Sequence, residues 1–247
     1  MQRLSGFIAM ALALCLCASL VPQLSAAEKG QADWRRLFNG KDFSGWQNAS
    51  GGKPGAGWAV EDGAMVRKSS AGDVWTKDRF GNFVLDLEFK TEGNSGIFIR
   101  TDKPDDCVQT GLEIQVLGPS RGGKPSKGSC GALYDAQAPT KEMVKAGQWN
   151  RCIITAAGSR VTVELNGEKI VDVDLDRWDT PGKNPDGSKN KYSNALKDFK
   201  REGHVGLQDH GAVVAYRNVK IKPLDGAQAD KPRKDRAKRR PKPTDAQ

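Results

Sequence analysis

The chain has 247 residues, enough for one large domain or two small ones. Its formal charge of +9 is unevenly placed: basic residues exceed acidic ones by five within 229–247 and by one within 1–27, which leaves +3 for 28–228. So weak a basic balance gives no ground for nucleic-acid binding by the body of the chain, and no stretch after residue 27 is apolar enough to span a membrane.

Residues 1–27 carry one basic residue (Arg3), an apolar run from about Phe7 to Val21, and the small residues Ser25, Ala26 and Ala27. This is the pattern of a secretory signal cut near Ala27. The mature protein is therefore expected to be exported, to the periplasm or the extracellular space. Cutting also removes Cys15 and Cys17 and leaves Cys107, Cys130 and Cys152. Cys107 and Cys130 sit in Gly/Pro/Lys-rich loops that flank one strand, so they are expected to form a disulfide, with Cys152 a buried thiol. None of the three has a His or a second Cys at metal spacing, which argues against a zinc site.

From Trp34 to Trp46, aromatic residues alternate with the turn pairs Asn39-Gly40 and Ser44-Gly45. The Gly-rich loop 50–57 lacks a phosphate-loop lysine and a following helix. Residues 58–67 read as a hairpin turning at Asp62-Gly63, and 73–76 as a short strand. From Asn82 to Lys90, Phe83, Leu85, Leu87 and Phe89 share one face, and Val84, Asp86, Glu88 and Lys90 the other. That period of two is a strand with one buried face. After a turn over 91–96, Ile97 and Ile99 oppose Phe98 and Arg100. In 111–117, Leu112, Ile114 and Val116 oppose Glu113, Gln115 and Leu117. If all three apolar faces line the core, the reverse faces present Asp86, Glu88, Lys90, Arg100, Glu113 and Gln115. Such a surface suits the hydroxyls of a polyhydroxylated ligand; it is also what a solvated sheet face looks like.

Residues 132–134 read as a short strand and 140–147 as a helical turn. Strands over 149–157 and 160–165 lead to Asn166-Gly167, the strongest hairpin signal in the chain, and on into 168–175. The alternating Asp172, Asp174 and Asp176 read as a solvated face. A polar loop over 178–200 is expected above the ligand face. A strand over 203–208 enters Asp209-His210-Gly211, and a last strand spans 213–224. Many short strands, tight turns and almost no helical period predict an all-β, two-sheet jelly-roll sandwich over 34–224, its concave sheet bearing the site. Residues 225–247 lack an apolar anchor and read as a disordered basic tail.

The segments Leu37–Trp46, Asn94–Arg100, Gly111–Gln115, Gly131–Tyr134, Gly147–Asn150, Leu165–Gly167, Gly206–Gly211 and Tyr216–Val219 resemble, in order, the motifs of the 3-keto-disaccharide hydrolase family, long catalogued as a domain of unknown function. The resemblance covers about 34–224, and Tyr216 stands where a Phe is expected. It implies a concanavalin A-like lectin/glucanase fold. It also implies an exported protein acting on glycosides already oxidised to a ketone at C3, with a sugar 3-dehydrogenase as the supplier of substrate.

A C3 ketone acidifies the proton on C2. A base removes it, the enolate expels the group on C1, and water adds back. This route needs one base and donors aimed at the developing oxyanion, and no organic cofactor. Glu113 and His210 are the candidate bases. Arg100 and Gln115 are placed to hold the ketone or enolate oxygen, and Asp209 to orient His210. Asn94, Glu88, Lys90, Tyr134 and Trp149 are candidate sugar contacts. A divalent ion on Glu113, Asp209 and His210 is an alternative way to polarise the ketone. Two further readings stay open. One is a non-catalytic carbohydrate-binding module using the same face. The other is a conventional glycosidase, which would need Glu88 and Glu113 to face each other within roughly 5–10 Å.

Overall fold

A computed structural model describes residues 34–119 and 122–225. The signal expected over 1–27 and the basic tail beyond Asp225 lie outside the described residues. The strands run in chain order as β1 (Arg35–Arg36), β2 (Trp46–Gln47), β3 (Trp58–Glu61), β4 (Ala64–Arg67), β5 (Val74–Thr76), β6 (Phe83–Thr91), β7 (Asn94–Thr101), β8 (Leu112–Leu117), β9 (Asn150–Ala157), β10 (Arg160–Leu165), β11 (Glu168–Asp174), β12 (His204–Leu207) and β13 (Val214–Pro223). Among the described residues helix is limited to the single turn α1 (Cys107–Thr110) and short 3-10 turns. No helix among the described residues is long and apolar enough to cross a membrane.

The strands form the expected jelly-roll sandwich. One sheet has eight strands in the order β11-β10-β9-β6-β13-β4-β3, with β1 also on β13; the other has five, β2-β5-β12-β7-β8. Period-two patterning builds the core between them. Phe83, Leu85, Leu87 and Phe89 of β6 are buried in one cluster with Ile97 and Ile99 of β7 and Leu112, Ile114 and Val116 of β8. Each such side chain contributes about 1.5–3 kcal/mol on leaving water. The two hairpin signals hold for a local reason. Asp62 and Gly63 have φ 48° and 73°, and Asn166 and Gly167 have φ 53° and 87°; tight two-residue turns of this twist need positive φ at both positions.

The turn expected over 91–96 is shorter, since β7 already starts at Asn94, and it does not join paired strands. β6 pairs with β9 and β13, whereas β7 pairs with β8 and β12. Between Thr91 and Asn94 the chain therefore crosses from one sheet to the other. The polar faces of β6 and β8 consequently open on opposite sides of the sandwich, and the single surface joining Asp86, Glu88 and Lys90 to Glu113 and Gln115 does not exist.

Three smaller expectations also fail. Residues 132–134 form no strand; Leu133 makes single bridges to Ile114 and Gln137, and the positive φ of Gly131 and Asp135 brackets it. Residues 140–147 form no helical turn, because the Asn150 side chain accepts from the Lys145 N–H (2.8 Å) and donates to its carbonyl (2.9 Å), which replaces helical bonding. The Cys107–Cys130 disulfide is absent. Cys130 is buried in the core cluster with Cys152, whereas Cys107 opens α1 beside Asp73, and all three thiols are free.

Candidate active site

The outer face of the five-stranded sheet is set by register. Trp75 of β5 pairs with Gly206 of β12, Gly206 with Phe98 of β7, and Phe98 with Glu113 of β8. Cross-strand partners point the same way, so these four form one row. Trp75 and Phe98 are fully buried, with ring centroids 5.3 Å apart. Only glycine fits at 206, because a Cβ there would meet the Trp75 ring at 2.3 Å. The next row runs from Gln208, whose N–H donates to the Gly96 carbonyl (2.9 Å), through Gly96 to its partner Gln115. A Cβ at Gly96 would lie 2.8 Å from Glu113 Oε1 and 3.3 Å from Gln208 Oε1. The missing side chain thus lets both polar groups lean over β7.

Among the buried polar atoms of this face that lack a partner, three are amide oxygens and one, Trp75 Nε1, is a donor. Asn94 Oδ1, Gln115 Oε1 and Gln208 Oε1 are buried and have no hydrogen-bond partner in the protein. Buried oxygens are ordinarily bonded, so three on one face mark a surface suited to hydroxyl donors. Glu113 is buried, and its Oε2 is 3.1 Å from Lys191 Nζ. The same ammonium lies 4.1 Å from the centroid of the Tyr134 ring, a cation–π contact. Lys191 comes from the loop after residue 178, as expected of a segment lying against the ligand face. That loop is tied to α1 where Gln109 donates to the Lys191 carbonyl (3.0 Å) and accepts from the Ser193 N–H (2.8 Å). His210 is exposed, with Nδ1 3.1 Å from Asn94 Nδ2. With the amide donating, the imidazole proton is on Nε2, a tautomer assigned from the bonding.

Glu113, Gln115, Asn94, His210, Tyr134 and Lys191 thus belong to one side of the molecule. Other expected site residues do not. Arg100 has φ +51°, which breaks the strand alternation and turns its side chain away. Its guanidinium donates to the carbonyls of Gly81 (2.9 Å) and Gly158 (2.7 Å) and to Asn82 Oδ1 (3.0 Å). Burial, and then the Arg201 charge, push it down to about 10. It is a clamp between loops, not an oxyanion donor. Asp209 does not orient His210: its Oδ2 accepts from the N–H groups of Ala71 (2.7 Å) and Gly72 (3.0 Å), while Oδ1 accepts from Gly211 and lies 2.6 Å from Arg67 Nε. Burial would raise its carboxyl, and these bonds instead hold it below the ordinary value. So committed, its oxygens face Arg67 and loop N–H groups and not Glu113 or His210. Among the described residues no three His, Cys, Asp or Glu side chains are arranged to hold a metal.

Glu88, Lys90 and Trp149 lie on the far side, on the eight-stranded sheet. Glu88 Oε2 accepts from Arg217 Nε (2.5 Å), and the Trp149 ring lies under Arg217 (4.0 Å) and Lys90 (5.2 Å). Glu88 therefore cannot face Glu113 as the second carboxylate of a conventional glycosidase.

Three residues of the site escaped the sequence reading: Gln208, Lys191 and Asp73. Asp73 precedes β5 and, two residues from Trp75, shares its outward side. Its Oδ1 accepts from the Asp209 N–H (2.8 Å), and its Oδ2 is 3.9 Å from Cys107 Sγ. Burial, with the Asp209 and Glu113 charges adding to it, raises the carboxyl to about 6. Alternation could have placed Asp73 on the face; nothing in the sequence shows that loop 69–73 is pinned to Asp209.

The family model for the 3-keto-alpha-glucoside-1,2-lyase-like domain matches residues 33–222. A curated relative from Bacteroides thetaiotaomicron, a 3-keto-disaccharide hydrolase, is 28% identical over 225 residues, which cover 76% of this chain and 78% of the relative. The crystal structure of a candidate glycosyl hydrolase from Parabacteroides distasonis is 32% identical with a TM-score of 0.68, covering 78% of this chain and 100% of that one. A Bacillus subtilis protein with a galectin-like fold (13% identity, TM-score 0.50, 78% and 97% covered) bears on the fold alone. A match from residue 33 to residue 222 is most of the chain, and on that ground the protein belongs to the 3-keto-alpha-glucoside-1,2-lyase-like family.

Proposed function

We propose that the protein cleaves glycosides that carry a ketone at C3, by removing the C2 proton, expelling the C1 substituent and adding water. What carries this reading, beyond family membership, is the position of Glu113. One of its oxygens is held by Lys191, and the other lies over the Gly96 gap with no salt bridge among the described residues. Glu113 is the base. His210, with its proton on Nε2, and the Gln115 amide are the donors to the enolate oxygen. Tyr134, Asn94 and Gln208 border the sugar. In the first half-reaction the C2–H electrons enter the enolate; as the C3 ketone re-forms, C1=C2 forms and the C1–O bond breaks. In the second, water adds to C1 and the proton returns to C2. Donors fixed where the oxyanion develops are what such a site must supply.

In this reading the protein is exported, and its substrate comes from a sugar 3-dehydrogenase. The test is a paired incubation of the protein with a glucoside and its 3-keto derivative, following release of the C1 group. Release from the keto form alone is expected. Release from the plain glucoside at a similar rate would overturn the elimination. Release from neither, with a glycan bound, would make the face a binding module.

A further inference from the structure

Elimination at C1 leaves an alkoxide, and an alkoxide leaves poorly without a proton. Glu113 cannot both take the C2 proton and supply this one in the same step. A second proton carrier on the same face, on the leaving-group side of the sugar, would supply it as the C1–O bond breaks.

Asp73 occupies such a place. It lies at the β5 end of the sheet, and Glu113 is on β8. Three strand spacings, about 14 Å, separate those backbones. Glu113 leans back over Gly96 of β7, and Gln208 and Gly96 lie between the two carboxyl groups. Asp73 is close enough to feel the Glu113 charge, and at Gly96 no side chain stands on the face, only the Glu113 and Gln208 groups that lean over it. The two environments differ. Glu113 has an ammonium partner in Lys191, whereas Asp73 has no salt bridge among the described residues. The groups facing Asp73 are the Asp209 N–H, the Cys107 thiol at 3.9 Å, and the charges of Asp209, Glu113 and His210. The nearby Arg67 is engaged by Asp209. Two acids in contrasting environments are the arrangement that lets one act as acid while the other acts as base.

We infer that Asp73 is the general acid of this site, protonating the oxygen that leaves C1 and then, as carboxylate, activating the water that adds there. The inference rests on the elimination reading above. The protons balance. Glu113 gains the C2 proton, the C1–O bond breaks, and the leaving oxygen takes the Asp73 proton. Water then bonds to C1, its proton passes to Asp73, and Glu113 returns its proton to C2. Both acids end as they began, with no oxidant or further reactant. Burial raises the Asp73 carboxyl to about 6, which keeps a protonated fraction near neutrality.

The experiment compares wild type and Asp73→Asn on two 3-keto-glucosides, one with 4-nitrophenol as leaving group and one with methanol. A general acid matters where the leaving group is poor. The variant is expected to lose about 100-fold or more in kcat/KM on the methyl substrate and to stay within about tenfold on the nitrophenyl one. Equal losses on both, or no loss on either, would overturn the assignment, since a merely structural role does not sort substrates by leaving group. If the variant fails to fold, the wild-type pH profiles decide. Activity on the methyl substrate is expected to fall as pH rises above about 6, with no such limb for the nitrophenyl substrate; the same limb on both would overturn the role. A wild type inactive on both keto substrates would overturn the elimination reading, and Asp73 with it. An active wild type with unsorted losses would overturn Asp73 alone.

Discussion

The two outer faces of this sandwich carry similar residues and differ in whether those residues are satisfied. On the eight-stranded sheet the charges close on one another. Asp86 takes two bonds from Arg151 (2.9 and 2.7 Å) and a third contact from Lys220 (3.3 Å), Glu88 takes Arg217, and Trp149 lies beneath two cations. On the five-stranded sheet three buried amide oxygens have no partner, one acid has a single ammonium, and another has none. Shape alone would mislead here. Grooves of about 460 and 590 Å³ open on the eight-stranded face, and neither Asp73, Glu113 nor His210 lines them. Unsatisfied polar groups, rather than concavity, point to the chemistry.

The largest effect that would break this contrast is on turnover. Glu113→Gln is expected to lower kcat on a 3-keto-glucoside by about 1,000-fold with the melting temperature unchanged. Glu88→Gln should leave kcat within about twofold. Equal losses would mean the two faces had been misread. Next comes Arg100→Ala, which strands two carbonyls and an amide oxygen; it should cost about 3 kcal/mol or more in urea unfolding. The protein that remains folded should keep its specific activity, as expected of a clamp and not of an oxyanion donor.

A third pair separates the faces by the sign of their pH dependence. Burial would raise the Asp86 carboxyl, but the bonds and charges of Arg151 and Lys220 outweigh it and hold the group low. Its contribution to stability is therefore present above the ordinary carboxylate value and lost as pH falls through the depressed one. The raised Asp73 carboxyl works the other way. The folded state binds the extra proton, so stability falls as pH rises from about 4 to about 6. At pH 7 Asp86→Asn should destabilise, and Asp73→Asn should stabilise, by about 1–2 kcal/mol each after allowing for solvent screening. Chemical denaturation at two pH values reads both. The smallest effect belongs to Trp149→Ala, expected to change KM less than about twofold, because the ring is covered by Arg217 and Lys90 and not by substrate.

The fold was legible because alternation in β6 matches its burial and picks out the core side of β7 and β8, although both of those strands are buried on their other side as well, and because Asp62-Gly63 and Asn166-Gly167 are turns whose chemistry is local. Of the candidate site, the shared face of β8, Asn94 and His210 was legible. The rest was lost where long-range geometry decides. Residues 91–96 read only as a turn, and the chain crosses between sheets at Glu92-Gly93, so the β6 acids lie on the other side. The φ of +51° at Arg100 reverses a side chain that simple alternation aims outward. Asp73 carries no motif, and its position depends on contacts more than 130 residues away, from Asp209 to residues 71–73.

The measurement closest to the central claim is a crystal structure of the Glu113→Gln variant with a 3-keto-disaccharide bound. Sugar density is expected over Gly96, between the substituted side chain on β8 and His210, with the glycosidic oxygen turned toward Asp73. Density instead in the groove beside Trp149 and Arg217 would contradict the account and move the function to the other face.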